Sequence, residues 1–263
     1  MRRIAVFAAS GRELAPARAA LTGVRSGPLA AFRHEIGHVG GVEVHLIETG
    51  MGPEAALVAA NAALSEIVVD TVVSTGYAGG LGAAGRGELI LGTEVLNWTK
   101  DHSRARFPTD VAILTIAREA VVPARTAWSQ GPVVTVENVV WRATEKQALG
   151  KASGAIAVDM ESASIAQAAA TVGVPFLVVR AVFDRVDEDL PMDFNLWFTP
   201  WGRVRGMGRL LTHPSIVRSL LQMKRQVKQS SQALARFFRA FLVVLDEGRL
   251  PADVLALAAM GRR

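Results

Sequence analysis

The sequence predicts a single α/β domain, and three observations lead to this prediction. Half of the 263 residues are hydrophobic, which is enough for a substantial core. Short apolar runs alternate with helix-forming stretches, and no linker, repeat or low-complexity segment interrupts them. Residues 155–184 contain one complete strand–helix–strand unit. Alternation of this kind is typical of a sheet covered by helices.

This strand–helix–strand unit can be followed residue by residue. Residues 156–158 form a short apolar run, and residues 162–172 contain almost nothing that would stop a helix. Gly173 and Pro175 then end the predicted helix, the glycine as a C-cap and the proline just beyond it. Residues 176–182 are rich in valine, which predicts a strand buried on both faces.

Carboxylates stand at the ends of these two predicted strands. Asp159 and Glu161 follow the first strand, and Asp184 follows the second. In an open α/β sheet, ligands bind beyond the carboxyl ends of the strands. We therefore expect acids from neighbouring strands to face one substrate.

A further acid lies near the start of the chain. Residues 4–9 are predicted to form a strand and residues 14–21 a helix. Glu13 lies where the strand passes into the helix, at the ligand-side edge of the sheet. Two interpretations stay open, because Glu13 either contributes to a site or stabilises the first helical turn through the helix dipole.

The next predicted elements place a glycine-rich segment directly after a strand. They are a strand over 42–47, a helix over 54–68, a strand over 69–74, a strand over 88–97, a polar loop over 100–108, a helix over 110–120, a strand over 132–136 and a short helix from about residue 144. Residues 75–82 contain four glycines. Such glycines let the backbone approach a ligand closely, although a plain tight turn also explains them.

One segment matches the motif of zinc metalloproteases. Residues 34–38, His-Glu-Ile-Gly-His, satisfy the H-E-x-x-H pattern. That chemistry needs a helix, on which two histidines share a face and Glu35 activates a zinc-bound water. Gly37 disfavours a helix by about 1 kcal/mol relative to alanine. The third ligand of the longer motif falls on Val44, and His45 comes one position late. A hairpin with surface histidines explains the segment better, and no metal is expected.

Composition argues against several classes of protein. The sequence has no cysteine, so neither disulfides nor thiolate chemistry is expected. The first apolar run is too short for a secretion signal, and no run approaches the roughly 20 residues of a transmembrane helix. These features favour a location in the cytoplasm.

The C-terminal segment, residues 190–263, differs from the rest of the chain in charge. Nine basic residues and no acid lie between Asp193 and Asp246, whereas the whole chain has 29 basic and 24 acidic residues. A long helix is predicted from residue 212 to residue 245, because its apolar positions recur three or four apart. Four aromatic residues precede it: Phe194, Trp197, Phe198 and Trp201.

This segment has more than one interpretation. The helix packs on the domain with a solvated basic face, or residues 194–245 dock on an anionic membrane surface. The second interpretation would hold the protein peripherally at the inner face of the membrane. Binding to nucleic acid is disfavoured, because the bases lie on one helix without interleaved stacking aromatics.

Four motifs resemble those of the purine nucleoside phosphorylase and nucleosidase family. Residues 158–163 (VDMESA) resemble its VEMEA/VDMES motif, and residues 174–184 (VPFLVVRAVFD) resemble its VPF-x-x-VRA-x-SD motif. Residues 74–81 (STGYAGGL) are similar to its N/S-T-G-x-A-G-G-L loop, and residues 49–52 (TGMG) to its SGIG turn. The resemblance runs from residue 4 to about residue 189, with the motifs in family order.

The resemblance implies both a fold and a reaction. The fold would have three layers, with a central mixed β-sheet flanked by helices, a catalytic core over 1–189 and an extension over 190–263 packed on it. The likeness is greatest to the hopanoid-associated phosphorylases, because of the VDMES form, residues 187–191 (DEDLP) and the long basic helix. This implies cleavage of adenosylhopane, an adenine nucleoside with a large apolar 5′ substituent. A 5′-methylthioadenosine/S-adenosylhomocysteine nucleosidase is the alternative.

The resemblance also implies roles for single residues. Asp184 would be the general acid that protonates N7 of the departing adenine. Glu161 would bind the ribose 2′- and 3′-hydroxyls, with Met160 against the sugar. Glu13 falls where nucleosidases have the glutamate that activates water and several phosphorylases have an arginine that binds phosphate. The other substrate-binding residues implied are Arg12, Ser74, Thr75, Gly76, Tyr77, Gly79, Val139 and Val140.

Three positions depart from the family pattern. Phe183 replaces the serine that steadies the aspartate, Val139 replaces the aromatic residue that stacks on adenine, and Tyr77 replaces a small serine. These differences indicate a pocket reshaped for an unusual 5′ substituent. They leave both water and inorganic phosphate open as the nucleophile, and no cofactor is expected. Family members are usually oligomers, which implies a homo-oligomer here.

Overall fold

The computed structural model of the chain describes residues 2–29, 31–98, 104–190 and 214–248, with the backbone alone for 214–223. The strands in this part are β1 (Arg2–Ala8), β2 (Thr22–Ser26), β3 (His34–Val39), β4 (Val42–Glu48), β5 (Thr71–Gly80), β6 (Leu89–Asn97), β7 (Arg106–Pro108), β8 (Trp128–Thr135), β9 (Ala157–Asp159) and β10 (Phe176–Asp184). The helices are α1 (Gly11–Arg18), α2 (Pro53–Glu66), α3 (Val111–Ala124), α4 (Ala143–Ser153), α5 (Ser162–Thr171) and α6 (Pro214–Glu247).

These strands form one mixed sheet. Their order is β10-β6-β8-β9-β5-β1-β4-β3-β2, and β7 pairs with β6. β5 pairs in parallel with β1 and β10, whereas β3 pairs antiparallel with both β2 and β4. Because β10 pairs with β5 as well as with β6, the strands β5, β10, β6, β8 and β9 close into a ring. The ring brings the ends of β9 and β10 to the two sides of β5.

Helices cover both faces of the sheet. On one face, α1, α3 and α6 contribute Leu14, Ile116 and Phe241 to a buried core. On the other face, α2 and α5 contribute Ala60 and Ile165 to a second core. The predicted α/β fold, with a mixed sheet between helical layers, is therefore confirmed.

The strand predicted over 176–182 is confirmed and extends to Asp184. Every residue of β10 except Phe183 is buried, which fits an apolar strand covered on both faces. Arg180 is the charged residue inside this otherwise apolar strand, and it is 2% exposed. A charge at that depth requires partners, and these define the candidate site described below.

Some boundaries differ from the predicted ones. The strand predicted to end at Ser74 continues as β5 to Gly80, because its pairing with β10 continues to Gly79. Of the two interpretations of residues 75–82, the plain tight turn is therefore wrong for 75–80. β2 was not predicted, since most of its residues are exposed and its sequence has no apolar alternation. β7 lies inside the predicted polar loop, where it pairs with β6.

The His-Glu-Ile-Gly-His segment is β3, the first strand of a hairpin with β4. The hairpin is confirmed and the metalloprotease helix is absent from this segment. The prediction of surface histidines is wrong for His34 and His45, which are 4% and 5% exposed. Their rings stack with centroids 5.1 Å apart, because the antiparallel pairing brings both to one face. In the described ranges, no group of three or more potential ligands could hold a metal ion.

α6 is the predicted long basic helix. From Ser230 onward its apolar face packs against α1, α3 and β10, with Leu234, Phe238 and Phe241 fully buried. This supports the interpretation in which the helix packs on the domain, and these apolar side chains are not exposed to a membrane. Its exposed bases in the described part are Lys224, Arg225, Lys228, Arg236 and Arg239.

The remaining part of the proposed membrane contact, with its four aromatic residues, falls in 191–213 and lies outside the described residues. Among the helices that the structure describes, none combines the length and the apolar character needed to cross a bilayer. The division of the chain between residues 189 and 190 stays a prediction.

Candidate active site

β5 is the strand around which the candidate site is built. Gly79 lies opposite Val158 of β9 on one side and opposite Asp184 of β10 on the other. The acids expected from neighbouring strands thus come from two strands that both flank β5. Glu13 approaches the same strand from α1 and accepts a hydrogen bond from the backbone N–H of Tyr77.

Arg180 organises the buried polar centre of this region. Its Nε donates to Oδ2 of Asp159 at 2.7 Å, and its Nη2 donates to the hydroxyls of Ser74 and Ser162 at 2.8 Å each. Thr135 also donates to Asp159, at 2.6 Å. Because five elements meet in this network, it fixes the start of α5 relative to β5 and β10.

Glu161 is held at the start of α5. Its Oε1 accepts a hydrogen bond from the backbone N–H of Gly52 at 2.8 Å, which connects it to the turn before α2. Burial raises the pKa of Glu161 to about 7, and the carboxylate of Asp159 adds to this shift, whereas Arg180 opposes it. The side chain can therefore change its charge near neutral pH.

Glu13 lies in the first turn of α1. Its Oε2 accepts from the hydroxyl of Ser10 at 2.8 Å, and its Oε1 accepts from Tyr77 N–H at 3.1 Å. The helix-dipole interpretation and the site interpretation are compatible, because a first-turn carboxylate here also reaches β5.

The Glu13 carboxylate and the Arg180 guanidinium pack closely against Gly76. A Cβ added at Gly76 would lie 2.6 Å from Oε1 of Glu13 and 2.8 Å from Nη1 of Arg180. Gly76 also has φ of +139°, which side-chain-bearing residues rarely adopt. Glycine is thus required at this position for two reasons, and its lack of a side chain lets a carboxylate and a guanidinium approach β5 together.

Asp184 ends β10 and is 5% exposed. Its Oδ2 accepts a hydrogen bond from Nζ of Lys146 at 2.5 Å. Burial raises the pKa of Asp184, although the positive charge of Lys146 acts in the opposite direction. A Cβ at Gly79 would lie 3.5 Å from Oδ1 of Asp184, so the second carboxylate oxygen is next to β5.

The predicted residues on β5 lie between these acids. Ser74 is fully buried and belongs to the Arg180 network, whereas Thr75 is fully buried with a hydroxyl that makes no hydrogen bond to a described residue. The buried Tyr77 hydroxyl lies near Ser231 of α6, without a hydrogen bond of normal geometry in the described part of the chain. Burial raises the pKa of Tyr77.

The other predicted residues lie around this centre. Met160 and Val140 pack against one buried apolar cluster, formed with Leu81 and Val158. Val139, their neighbour in sequence, is partly buried. Arg12 is exposed at the start of α1 and takes no part in the buried network.

Sequence reasoning missed three residues of this site. Arg180 could have been found, because a lone charge inside the run of valines at 176–182 must have a buried partner. Gly52 acts through its backbone N–H, which leaves little signal beyond its place in the TGMG turn. Lys146 lies in a helix of mixed polarity, and nothing local indicates that it is buried.

A cavity of about 950 Å³ adjoins the site. Gly52 lines it and also binds Glu161, so the cavity begins beside that carboxylate. Its apolar lining includes Phe32, Met51 and Leu57, and Met51 is 62% exposed. The cavity is thus open, and an apolar group could occupy it next to the site.

The arrangement provides three chemical functions within one region. Asp184 offers a buried carboxyl group whose pKa is raised, as a proton donor requires. Glu161 offers a carboxylate that can accept hydroxyl protons, and Glu13 offers a second carboxylate against β5, as a base that activates water requires.

Comparison with known proteins shows the family. Residues 3–210 match the profile of the Phosphorylase superfamily, which is most of the chain. The chain therefore belongs to that superfamily.

Individual relatives agree with this assignment. A 5′-methylthioadenosine/S-adenosylhomocysteine nucleosidase from Shewanella sp. (strain W3-18-1) is 27% identical over 215 residues, which cover 76% of this chain and 93% of the relative. The crystal structure of such a nucleosidase from Neisseria meningitidis, in complex with methylthio-immucillin-A, matches with a TM-score of 0.70 at 24% identity, covering 91% of this chain and 99% of that one. A futalosine hydrolase mutant from Helicobacter pylori matches with a TM-score of 0.73 at 18% identity, over 94% and 100% of the two chains. These structures establish the likeness of fold.

Proposed function

We propose that the protein is a nucleosidase that hydrolyses the N-glycosidic bond of 5′-substituted adenine nucleosides, with 5′-methylthioadenosine and S-adenosylhomocysteine as its first candidate substrates. The observation that carries the proposal is the position of two acids along β5. Glu13 contacts the backbone of Tyr77, and Asp184 lies opposite Gly79. The two backbone positions that these acids approach, residues 77 and 79, are about 7 Å apart along the strand.

The relatives support this choice of substrate. The relative from Shewanella bears the name of a methylthioadenosine and adenosylhomocysteine nucleosidase, and the Neisseria nucleosidase was crystallised with methylthio-immucillin-A. These names favour the alternative that the motifs left open over adenosylhopane, which is therefore the second candidate.

In the proposed mechanism, Asp184 donates its proton to N7 of adenine as the C1′–N9 bond breaks. An adenine anion is a poor leaving group, and a positioned acid typically contributes about 10²–10⁴-fold to the rate. The electron pair of the broken bond stays with the base, so adenine departs neutral. Burial favours the protonated form of Asp184 before the reaction, because it raises the pKa of that carboxyl.

Glu161 binds the sugar in this mechanism. Its free carboxylate oxygen accepts hydrogen bonds from the ribose hydroxyls, while Oε1 is held by the Gly52 N–H. Its negative charge stabilises the positive charge that develops at C1′ in an oxocarbenium-like transition state. Because Arg180 and Asp159 fix the start of α5, the carboxylate is positioned before the substrate binds.

We propose water as the nucleophile. The support is the carboxylate of Glu13, which reaches β5, accepts the Tyr77 N–H and lies next to Gly76. Glu13 removes a proton from water as its oxygen attacks C1′, which yields the free sugar. Inorganic phosphate is disfavoured as the co-substrate, since its negative charge would approach both Glu13 and Glu161, and the guanidinium of Arg180 beside Glu13 is already paired with Asp159.

The test is adenine release, measured by HPLC from 5′-methylthioadenosine and from S-adenosylhomocysteine, each with and without phosphate. We expect adenine and the free sugar at equal rates in both conditions. Asp184→Asn should lower the release at least about 100-fold while its circular dichroism spectrum is unchanged. Formation of a sugar 1-phosphate would show that phosphate is the nucleophile, and near-normal turnover by the variant would refute the role of Asp184.

Adenosylhopane is the second candidate because of the cavity beside Glu161. Its volume of about 950 Å³ would hold a large 5′ substituent, and Phe32, Met51 and Leu57 give part of its wall an apolar surface, whereas Glu54, Asn97 and Glu137 line other parts. The same assay with adenosylhopane in detergent separates the two candidates. Adenine release from adenosylhopane alone would favour the lipid precursor, and efficient release from methylthioadenosine would favour the smaller substrates.

A homo-oligomer, a cytoplasmic location and a peripheral membrane contact remain proposals. The exposed Met51 and Val58 at the cavity support an assembly in which a second copy covers it. Light scattering of the purified protein tests the assembly. Flotation with anionic liposomes tests the membrane contact, for which the exposed bases of α6 are the support in the described part of the chain.

A further inference from the structure

Lys146 is an unusual residue for the position that it occupies. α4 is a helix of mixed polarity, and Lys146 is the one residue that it buries. Its side chain is completely inaccessible to solvent, although a buried ammonium group is stable only when it is closely paired. A buried helix position is usually occupied by an apolar residue such as leucine. A lysine at such a position therefore indicates that its charge has a specific role.

The partners of Lys146 are at the end of β10. Nζ donates to Oδ2 of Asp184 at 2.5 Å and to the backbone carbonyl of Arg185 at 2.6 Å. The ammonium group therefore holds the proposed general acid and the backbone just after it. One carboxylate oxygen of Asp184 is engaged by this contact, which leaves Oδ1 for the substrate.

The segment after β10 is attached to α4 at further points. The backbone N–H of Ala143 donates to Oδ1 of Asp189 at 2.7 Å, and the N–H of Leu190 donates to the carbonyl of Trp141 at 2.8 Å. Since these contacts bring the start of α4 against the end of β10, Lys146 reaches Asp184 from a fixed direction. The geometry is thus set by the backbone of α4 and not by the lysine alone.

The sequence left Asp184 without an obvious partner. Phe183 stands where a serine was expected to steady the aspartate, and a phenyl ring offers no hydrogen bond. The partner in the structure comes instead from 38 residues earlier in the chain. Lys146 adds what a hydroxyl would not, a full positive charge.

We propose that Lys146 is the positioning residue of the general acid, holding Asp184 in place and stabilising the carboxylate that forms when its proton passes to adenine. The inference rests on the proposed function and adds to it a residue that none of the four motifs contains. In this step the proton passes from Asp184 to adenine, and a carboxylate remains on Asp184. The ammonium group of Lys146 keeps its own protons.

The other charges near Asp184 act against the carboxylate. Glu188 lies in the segment after β10 and raises the pKa of Asp184, as burial does. Asp187 of the same segment is paired with the exposed Arg185. Lys146 is the group on α4 that opposes these effects, so its removal should make Asp184 a weaker acid.

The experiment compares Lys146→Met with Lys151→Met, which removes an exposed lysine from the same helix. We expect Lys146→Met to lower kcat by about 100-fold, the typical effect of losing one preorganised donor. The basic limb of its pH–rate profile, where kcat falls as the pH rises, should move to higher pH. The reason is that Asp184 then holds its proton more tightly. Lys146→Arg should return the limb towards its wild-type position, and Lys151→Met should change neither property.

A double-mutant cycle separates this role from a structural one. In an Asp184→Asn background, Lys146→Met should cause no further loss of kcat, because the residue acts through Asp184. Lys146→Gln, which keeps a donor without the charge, serves if the methionine variant does not fold. A kcat within threefold of the wild type and an unmoved limb, in whichever of the two variants folds, would overturn the inference.

A last measurement does not depend on turnover. The carboxyl carbon of Asp184, labelled with ¹³C and assigned through Asp184→Asn, should titrate at higher pH in Lys146→Met than in the wild type. An unshifted titration would overturn the inference even if adenine is released. If the wild type releases no adenine from any of the tested nucleosides, the proposed function fails, and the titration still decides whether Lys146 controls Asp184.

Discussion

Arg180 and Asp159 form an ion pair inside the protein, with 2.7 Å between Nε and Oδ2 and with side chains that are 2% and 1% exposed. The two residues belong to different strands, β10 and β9, which do not pair with each other in the described sheet. The pair joins them across β5 and, through Ser162, fixes the start of α5. The candidate site therefore depends on an interaction that also stabilises the fold.

Replacing Arg180 should destabilise the protein strongly. Arg180→Met leaves the carboxylate of Asp159 buried and unpaired, which typically costs about 3–5 kcal/mol. Urea unfolding measures the change in the free energy of unfolding. Arg18→Met is the control, because Arg18 pairs with Glu35 at 2.8 Å on the surface and such pairs contribute at most about 1 kcal/mol. Equal effects of the two substitutions would contradict this prediction.

Gly76→Ala should abolish adenine release. Its Cβ would fall 2.6 Å from Oε1 of Glu13 and 2.8 Å from Nη1 of Arg180, so it would displace the carboxylate proposed to activate water and the guanidinium that holds Asp159. The control is Gly154→Ala, since Gly154 also has a positive φ, +72°, but nothing lies within 4 Å of an added Cβ.

Both glycine variants should lose about 1 kcal/mol or more of stability for adopting an unfavourable backbone conformation. Thermal unfolding and the adenine assay, run side by side, separate the two effects. A Gly76→Ala enzyme as active as Gly154→Ala would argue against a nucleophile at this place.

Glu161 should give the reaction an acidic limb near pH 7. The pKa of Glu161 is raised to about 7, so the free enzyme carries the neutral form below that pH. A neutral carboxyl group no longer stabilises positive charge at the sugar, and kcat/KM should fall as the pH drops through about 7. Glu161→Gln should remove this limb together with most of the activity, whereas Glu66→Gln, at the end of α2, should leave the profile unchanged.

The raised pKa of Glu161 also predicts how the stability of the fold depends on pH. Because the pKa of Glu161 is raised in the folded state, ionisation of this group opposes folding, and its destabilising effect is complete above about pH 7. Glu161→Gln should therefore be more stable than the wild type at pH 8 and lose this advantage towards pH 4.5. Denaturant unfolding at both values tests the sign, and a variant that is less stable at pH 8 would show that the carboxylate is well compensated.

His34 should make the fold sensitive to acid. Leu29 N–H donates to its Nδ1, and its Nε2 faces Nδ1 of His45 at 3.0 Å. A proton added at Nδ1 would displace the first of these bonds. Burial, with the charge of His45 as a second cause, lowers the pKa of His34 to about 4.

The sign follows from the unfolded chain, in which a histidine takes up a proton near its ordinary pKa of about 6.5. Stability contributed by the neutral His34 is present above that pH and is lost as the pH falls from about 6.5 to about 4. The loss is on the order of 3 kcal/mol by the free energy of a pKa shift. Unfolding of the wild type and of His34→Leu, measured between pH 7 and pH 4.5, should show a weaker pH dependence in the variant, and parallel curves would refute the assignment.

The sequence determined a large part of this molecule by itself. Alternating apolar runs and helix-forming stretches predict most strands and helices, because the period of apolar residues is a local property. The hairpin of β3 and β4, the helix α5 with its glycine and proline stop, and the buried strand β10 were all predicted in this way. The rule that ligands bind beyond the carboxyl ends of strands also placed Glu13, Glu161 and Asp184 at the ligand-side edge. In the structure Glu13 and Asp184 lie against β5, and Glu161 lies at the start of α5, bonded to Gly52.

Only the tertiary structure decided which residues meet. The pairing of β10 with β5, which closes the ring of strands, joins segments about a hundred residues apart and leaves no local signal. The burial of Lys146, the stacking of His34 on His45 and the use of the apolar face of α6 inside the protein follow from such pairings. A polar side chain has the same local sequence whether it faces water or a buried carboxylate, and packing between distant elements settles which of the two it meets.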